Sequence, residues 1–297
     1  MRYQSGIFVE GNANRWFLAF VVSDSSKVAD ALAAVLATAK GTVPNDTVEV
    51  VVGFGAELAR QLMPLAVPAD FPVFAGRNGP THRAPASHVD LALWIHSDRH
   101  DRNFDVASAA RRTLAPLGSM VEDVPGFEYF DARDLHGFID GTENPDVDEA
   151  RDLVVIKDGN AIGGSFLFAQ RWVHDLDAFR ALSVSEQEQV FGRTKATSVE
   201  LDPLPATSHV GRVVTEDEDG QELEIYRRSF PYGTSGEAGL QFLAFTADPT
   251  IIDGMLDRMF GIDGPSDRLI DFSRAVNGSF TFVPSAEAIE ALVRPAS

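Results

Sequence analysis

Two rounds of one element order constrain this chain more than any single motif. Residues 15–22 form a continuous apolar, aromatic and β-branched run, the pattern of a buried strand. Ser25-Ser26 offer N-caps for an Ala-rich helix to about Lys40, closed by Gly41. A strand over 47–55, a short helix over 56–62, a third strand over 88–96, a helix over 105–117 and a strand over 127–130 follow. Residues 71–85, rich in Pro, Gly and Arg, read as an irregular connection. The second half repeats the order loosely: a strand over 164–174, helical segments from 176 to about 192, and strands over 223–228 and 239–247 joined by 231–237. A helix over 251–260, a strand over 279–284 and a final helix over 285–297 complete it. Twice βαββαβ predicts an α+β molecule with two antiparallel sheets, each covered on one face by helices. The expected division is 1–136, a linking segment 137–165, and 166–297.

Composition removes several function classes. The net charge of −19 disfavours nucleic acid and anionic membranes as partners. The chain has no cysteine, so disulfides, Fe–S clusters, thiolate-bound zinc and thiolate or covalent haem attachment are excluded. The most apolar helix-like run, residues 28–39, is interrupted by Asp30 and too short to span a bilayer. Residues 1–6 lack the basic-then-apolar pattern of a secretory signal, and a cytoplasmic protein is expected.

Three segments carry candidate chemistry. Gly137-Phe138-Ile139-Asp140-Gly141-Thr142-Glu143-Asn144-Pro145 brackets an Asp between two flexible glycines and closes on an Asn-Pro pair, a shaped loop. A solvated turn Asp is the bland reading. The loop lies between the halves, where ligand sites are common, and the rest of the chain decides between water and a ligand. His209 lies in a stretch without periodicity, where a satisfied surface group is the ordinary reading; as an axial ligand it would need its second nitrogen on an acceptor such as a carboxylate. Arg227-Arg228 ends a strand, so one arginine at most should face a given pocket. The other histidines form no metal motif: His82 and His100 sit in charged loops, His88 and His96 flank a strand, His136 reads as surface at the loop entrance, and His174 as a structural hydrogen-bond partner.

With Gln170-Arg171-Trp172-Val173-His174-Asp175-Leu176, Gly192-Arg193-Thr194-Lys195, Ser208-His209-Val210, Tyr226-Arg227-Arg228-Ser229-Phe230-Pro231-Tyr232-Gly233 and Asp267-Arg268-Leu269-Ile270-Asp271-Phe272, these segments resemble the dye-decolourising peroxidase family over nearly the whole chain. The likeness is to the intracellular bacterial branch with compact loops. It implies duplicated ferredoxin-like halves and one non-covalent haem b per chain, in the C-terminal half. It implies reduction of hydrogen peroxide and oxidation, through a ferryl intermediate, of dyes, phenols or similar one-electron donors. Residue by residue, His209 matches the proximal iron ligand, Asp140 the distal acid and Arg227 the distal arginine. Asp271 is the first choice for the carboxylate holding the proximal histidine and Asp267 the fallback. Phe242 and Phe245 are expected to contact the cofactor. Ser229 stands where relatives often have Asn; its hydroxyl can still donate to bound peroxide. Homo-oligomerisation is also expected. The alternative is a haem-handling protein that stores, delivers or strips iron from porphyrin in the same pocket.

A reductant too bulky for the distal cavity implies electron entry at the haem edge or through aromatics. Trp16, Trp94, Trp172, Tyr129, Tyr226 and Tyr232 are available, with core packing their ordinary role and Tyr232 favoured for its place beside the distal segment. The acidic run 216–219 reads as a solvated hairpin tip.

Overall fold

The protein is seen in a computed structural model describing residues 2–41, 47–216 and 219–294. In chain order the strands are β1 (Asn14–Val22), β2 (Glu49–Phe54), β3 (Arg77–Asn78), β4 (Arg83–Ala84), β5 (Leu91–Ser97), β6 (Gly118–Phe127), β7 (Ser165–His174), β8 (Tyr226–Arg227), β9 (Phe230–Gly233), β10 (Ala238–Thr246), β11 (Ser273–Ala275) and β12 (Ser279–Val283). The helices are α1 (Val28–Lys40), α2 (Ala56–Leu62), α3 (His100–Leu114), α4 (Val147–Val154), α5 (Leu176–Arg180), α6 (Val184–Phe191), α7 (His209–Val213), α8 (Pro249–Met259) and α9 (Ala286–Leu292).

The antiparallel α+β architecture is as the sequence predicts, with one difference. The two half-sheets, β6-β1-β5-β2 and β12-β7-β10-β8, join at β2–β12 through the single register pair Phe54–Phe282, so they form one continuous sheet. Strand alternation then sorts the core into layers. Trp16, Leu18 and Phe20 of β1 pack with Val28, Leu32 and Val35 of α1 and Val106 of α3 on the outer face of the first half. Phe17 and Ala19 point the other way and share a central core with Trp94, Leu167, Tyr226, Leu243 and Phe245. Phe168, Trp172 and Ala244 form the outer face of the second half, against Ile252, Leu256 and Met259 of α8. A Cβ on Gly126 of β6 would lie 2.1 Å from the Phe230 ring of β9, so this contact between the halves admits no larger residue.

Two edge elements differ from expectation. The fourth strand is β6, ending at Phe127, whereas Tyr129 and Phe130 lie in the turn that follows. Being at the sheet edge, β6 buries only Val124 and Pro125-adjacent Gly126 in an alternating pattern, and it tolerates Pro125. Residues 231–233, expected within the 231–237 connection, instead belong to β9 against β10. Ser25 and Ser26 do not cap α1: Lys27 holds the N-cap position without a side-chain bond, while Gly41 closes the helix at φ 66° as expected. Glu216 forms an isolated antiparallel bridge with Glu222; Asp217 and Glu218 of the acidic run lie outside the described residues, as do 295–297 of the expected final helix. Among the described residues no helix is long and apolar enough to cross a membrane.

Candidate active site

The outer face of the second half-sheet is the floor of a cavity enclosing about 1500 Å³, counting the space open to solvent at its mouth. Even-numbered positions of β7 (Gln170, Trp172, His174) and β10 (Leu240, Phe242) form that floor. Residues of α7 and α8, Val210, Val213, Ile252, Met255 and Met259 among them, add apolar walls. The distal-loop residues 138–143 form a further wall. A largely apolar cavity with a few convergent polar groups is the usual form of a cofactor site.

His209 is the first residue of α7 and lines the cavity. Ser208 caps the helix, its hydroxyl accepting from the Gly211 amide, which fixes where the imidazole starts. His209 Nδ1 lies 2.7 Å from Asp267 Oδ2. Asp267 is fully buried, and its Oδ1 accepts from the Leu269 amide at 2.7 Å. A carboxylate on Nδ1 keeps the proton there and leaves Nε2 as the nitrogen with a free lone pair.

This corrects the choice of Asp271. Its carboxylate instead pairs with His82 Nε2 at 2.8 Å on the surface. The cause is the 3₁₀ turn Arg268–Asp271: Asp267 caps it from the interior, and a residue four positions on has rotated to the solvent side. Phe245 is a second correction. Phe242 lines the cavity, but Phe245 is three residues further along the same strand and so on the opposite face, where it packs against Trp94.

Asp140, Arg227 and Ser229 line the same cavity. The loop holds its shape through Gly137 at φ 90° and Gly141 at φ 77°, and Asp140 Oδ1 accepts from the Gly141 amide at 2.7 Å. Arg227 and Arg228 diverge as the strand geometry requires. Arg228 reaches the Tyr226 hydroxyl at 3.0 Å and lies 5.5 Å over the Trp94 ring. Ser229 Oγ accepts from the Leu243 amide at 3.3 Å, which leaves its O–H free to donate.

Asn144 has a role that motif reading left unassigned. Its Nδ2 donates to the Arg227 carbonyl at 2.8 Å, and its Oδ1 accepts from the Arg227 amide at 3.0 Å and from Nε at 3.4 Å. One side chain thus couples the loop bearing Asp140 to the strand bearing Arg227. The signal was the motif's closing Asn-Pro pair, whose amide can both donate and accept.

The other candidates scatter. His136 is buried, not at the surface: its ring lies 4.6 Å from Phe179 and its Nδ1 2.8 Å from Asp134. His174 makes the expected structural bond, to Ser273 at 2.9 Å. Tyr232 is buried away from the cavity in the central core, donating to the Trp172 carbonyl at 3.1 Å. Burial raises its pKa. Trp172 itself lines the cavity. At the exposed rim sit Glu143, Glu222 and Glu224. Partial burial and then the charges of Glu143 and Glu224 raise the Glu222 pKa.

Family models described as "Dyp-type peroxidase, N-terminal" and "Dyp-type peroxidase, C-terminal" match residues 4–128 and 131–288. The chain is 36% identical to the dye-decolorizing peroxidase of Rhodococcus erythropolis over 287 residues, 92% of this chain and 84% of that protein. It superposes on the dye-decolorizing protein from Vibrio cholerae with a TM-score of 0.90 at 34% identity, covering 97% of this chain and 99% of the other. A DypB arginine-to-leucine variant from Rhodococcus jostii, in complex with haem, gives 0.88 at 35% identity over 97% and 96%.

Proposed function

We propose, for a chain that belongs to the Dyp-type peroxidase family, that this cavity holds one haem b and reduces hydrogen peroxide at the expense of a one-electron donor. The observation that carries the reading is the pairing of His209 with buried Asp267 in the same cavity as Asp140 and Arg227. The donor set suits the group: a neutral imidazole nitrogen for iron, an apolar enclosure for the ring, and no competing thiolate in the chain. Bound haem supplies the iron at which the O–O bond is cleaved.

The chain's own residues manage protons and charge. Asp140, through the carboxylate oxygen not engaged by the Gly141 amide, takes a proton from incoming peroxide and returns it to the departing oxygen. The Arg227 guanidinium stabilises the charge developing on the leaving oxygen. Asn144 holds that guanidinium in register with the loop. Ser229 offers its free O–H to the same oxygen. Asp267 pulls His209 towards imidazolate and so raises its electron donation. The glutamates at the rim favour cationic over anionic donors near the mouth, increasingly so as pH rises and Glu222 loses its proton.

An absorption spectrum of the purified protein should show a histidine-ligated ferric Soret band that responds to peroxide, with dye oxidised only when peroxide is present. Arg227→Leu should slow the reaction with peroxide more than Asp140→Ala does; the reverse order in stopped-flow traces would overturn this apportionment. The haem-handling alternative draws no support from the relatives above. Residence in the cytoplasm and assembly into a homo-oligomer remain part of the proposal, the latter checked by sedimentation of the haem-loaded protein.

A further inference from the structure

At the root of the distal loop the chain buries a second cluster with metal-ligating chemistry, distinct from His209. Asp134 and His136 lie just before the loop, and His174 ends β7. One donor atom from each residue can be chosen so that all lie within 4.8 Å of one another. The side chains of Asp134, His136 and His174 are 12%, 0% and 3% exposed.

The contacts within the cluster are uneven. His136 Nδ1 stands 2.8 Å from Asp134 Oδ2, and the two imidazoles lie 4.1 Å apart. The Ser273 hydroxyl bonds His174 Nδ1 at 2.9 Å, which turns His174 Nε2 towards Asp134 Oδ1 at 3.6 Å. That separation is beyond a hydrogen bond, and His174 Nε2 is a buried polar atom without a partner. Zinc bonded at about 2.0–2.2 Å to nitrogen and oxygen in a tetrahedron sets its ligand atoms roughly 3.4 Å apart. The His174–Asp134 separation is already close to that value, and the His136–Asp134 contact needs to widen by about half an ångström.

We propose that Asp134, His136 and His174 bind one divalent ion of the zinc class, separate from the haem iron, which fastens the root of the distal loop to β7. Two imidazole nitrogens and a carboxylate oxygen are a donor set of the zinc class. Ser273, on the far nitrogen of His174, orients that ligand as hydroxyls and carbonyls do in known sites. Asp134, His174 and Ser273 also reach the wall of the cavity, so the cluster lies beside the haem site.

The test uses haem-loaded protein washed with chelator, titrated calorimetrically with zinc chloride, desalted and analysed for metals. One zinc per chain beside one iron is expected, with a higher thermal midpoint in the zinc-loaded sample. His136→Gln and His136→Ala should each lose the zinc while keeping the haem absorption band, because His136 does not line the cavity. Zinc-edge X-ray absorption on the unsubstituted protein should show two imidazoles, an answer that does not depend on either variant folding. Absence of zinc beyond the haem iron, retention of zinc by both variants, or an edge spectrum without imidazole scattering overturns the proposal.

Discussion

At the scale of single residues, the choice between Asp267 and Asp271 separates motif from geometry. Both are aspartates within five residues of one another, yet Asp267 is fully buried on His209 and Asp271 pairs with His82 at the surface. Asp267→Asn removes the charge that polarises the imidazole while keeping an amide of the same shape. Partners of this kind are worth about 10–100-fold in activity or metal affinity, so a loss in that range is expected in peroxide turnover. Asp271→Asn should leave turnover within about twofold, because an exposed ion pair contributes little. Steady-state rates for the two variants, with haem content measured on each, decide it; equal losses would remove Asp267 from the site. The residues of the site were legible through the family resemblance of their ordered segments, since each alone reads as readily as a surface group. Which carboxylate meets His209 was not, since it depends on where a 3₁₀ turn begins.

Between elements, Asn144 does for the loop and β8 what a backbone ladder does for neighbouring strands: three contacts tie it to Arg227. Asn144→Ala leaves the Arg227 amide and carbonyl without these partners and frees the guanidinium to sample other rotamers. A drop of about tenfold in kcat/KM for peroxide is expected, equivalent to roughly 1.4 kcal/mol of transition-state stabilisation. KM for the reducing substrate should barely move. A variant with unchanged peroxide kinetics would show that Arg227 is held by other means. Elements buried on both faces, such as β5 and β7, were legible as apolar runs. The edge strands β6 and β9 were not: both carry Pro and Gly like a loop, β6 with acidic residues on a wet face and β9 with Phe230, Pro231 and Tyr232 buried. Phe245 failed differently: strand parity excludes it from the face of Phe242, and only the family likeness had drawn it in.

For the whole molecule, the central core carries a pH liability in His96. The ring is fully buried on β5 and stacked on Trp94 at 4.1 Å. Its Nδ1 accepts from the Asn12 amide at 2.7 Å and its Nε2 donates to the Gly6 carbonyl at 2.9 Å, bonds that fit the neutral ring. Burial first, and then the charge of Arg228, push its pKa down to about 3, against the opposing pull of the Gly6 carbonyl. In the unfolded chain the same ring titrates near 6.5. Between those values the unfolded state binds the extra proton, so stability falls as pH falls, by about 1.4 kcal/mol per pH unit at the steepest. From pH 7.5 to 5.0 this one residue should remove about 2 kcal/mol. Because the core joins both half-sheets, the loss belongs to the entire fold rather than to the N-terminal half. Urea denaturation at the two pH values measures it, and His96→Gln, less stable at pH 7.5, should show a correspondingly shallower dependence. If the variant and the parent protein lose stability equally on acidification, His96 is not the group responsible.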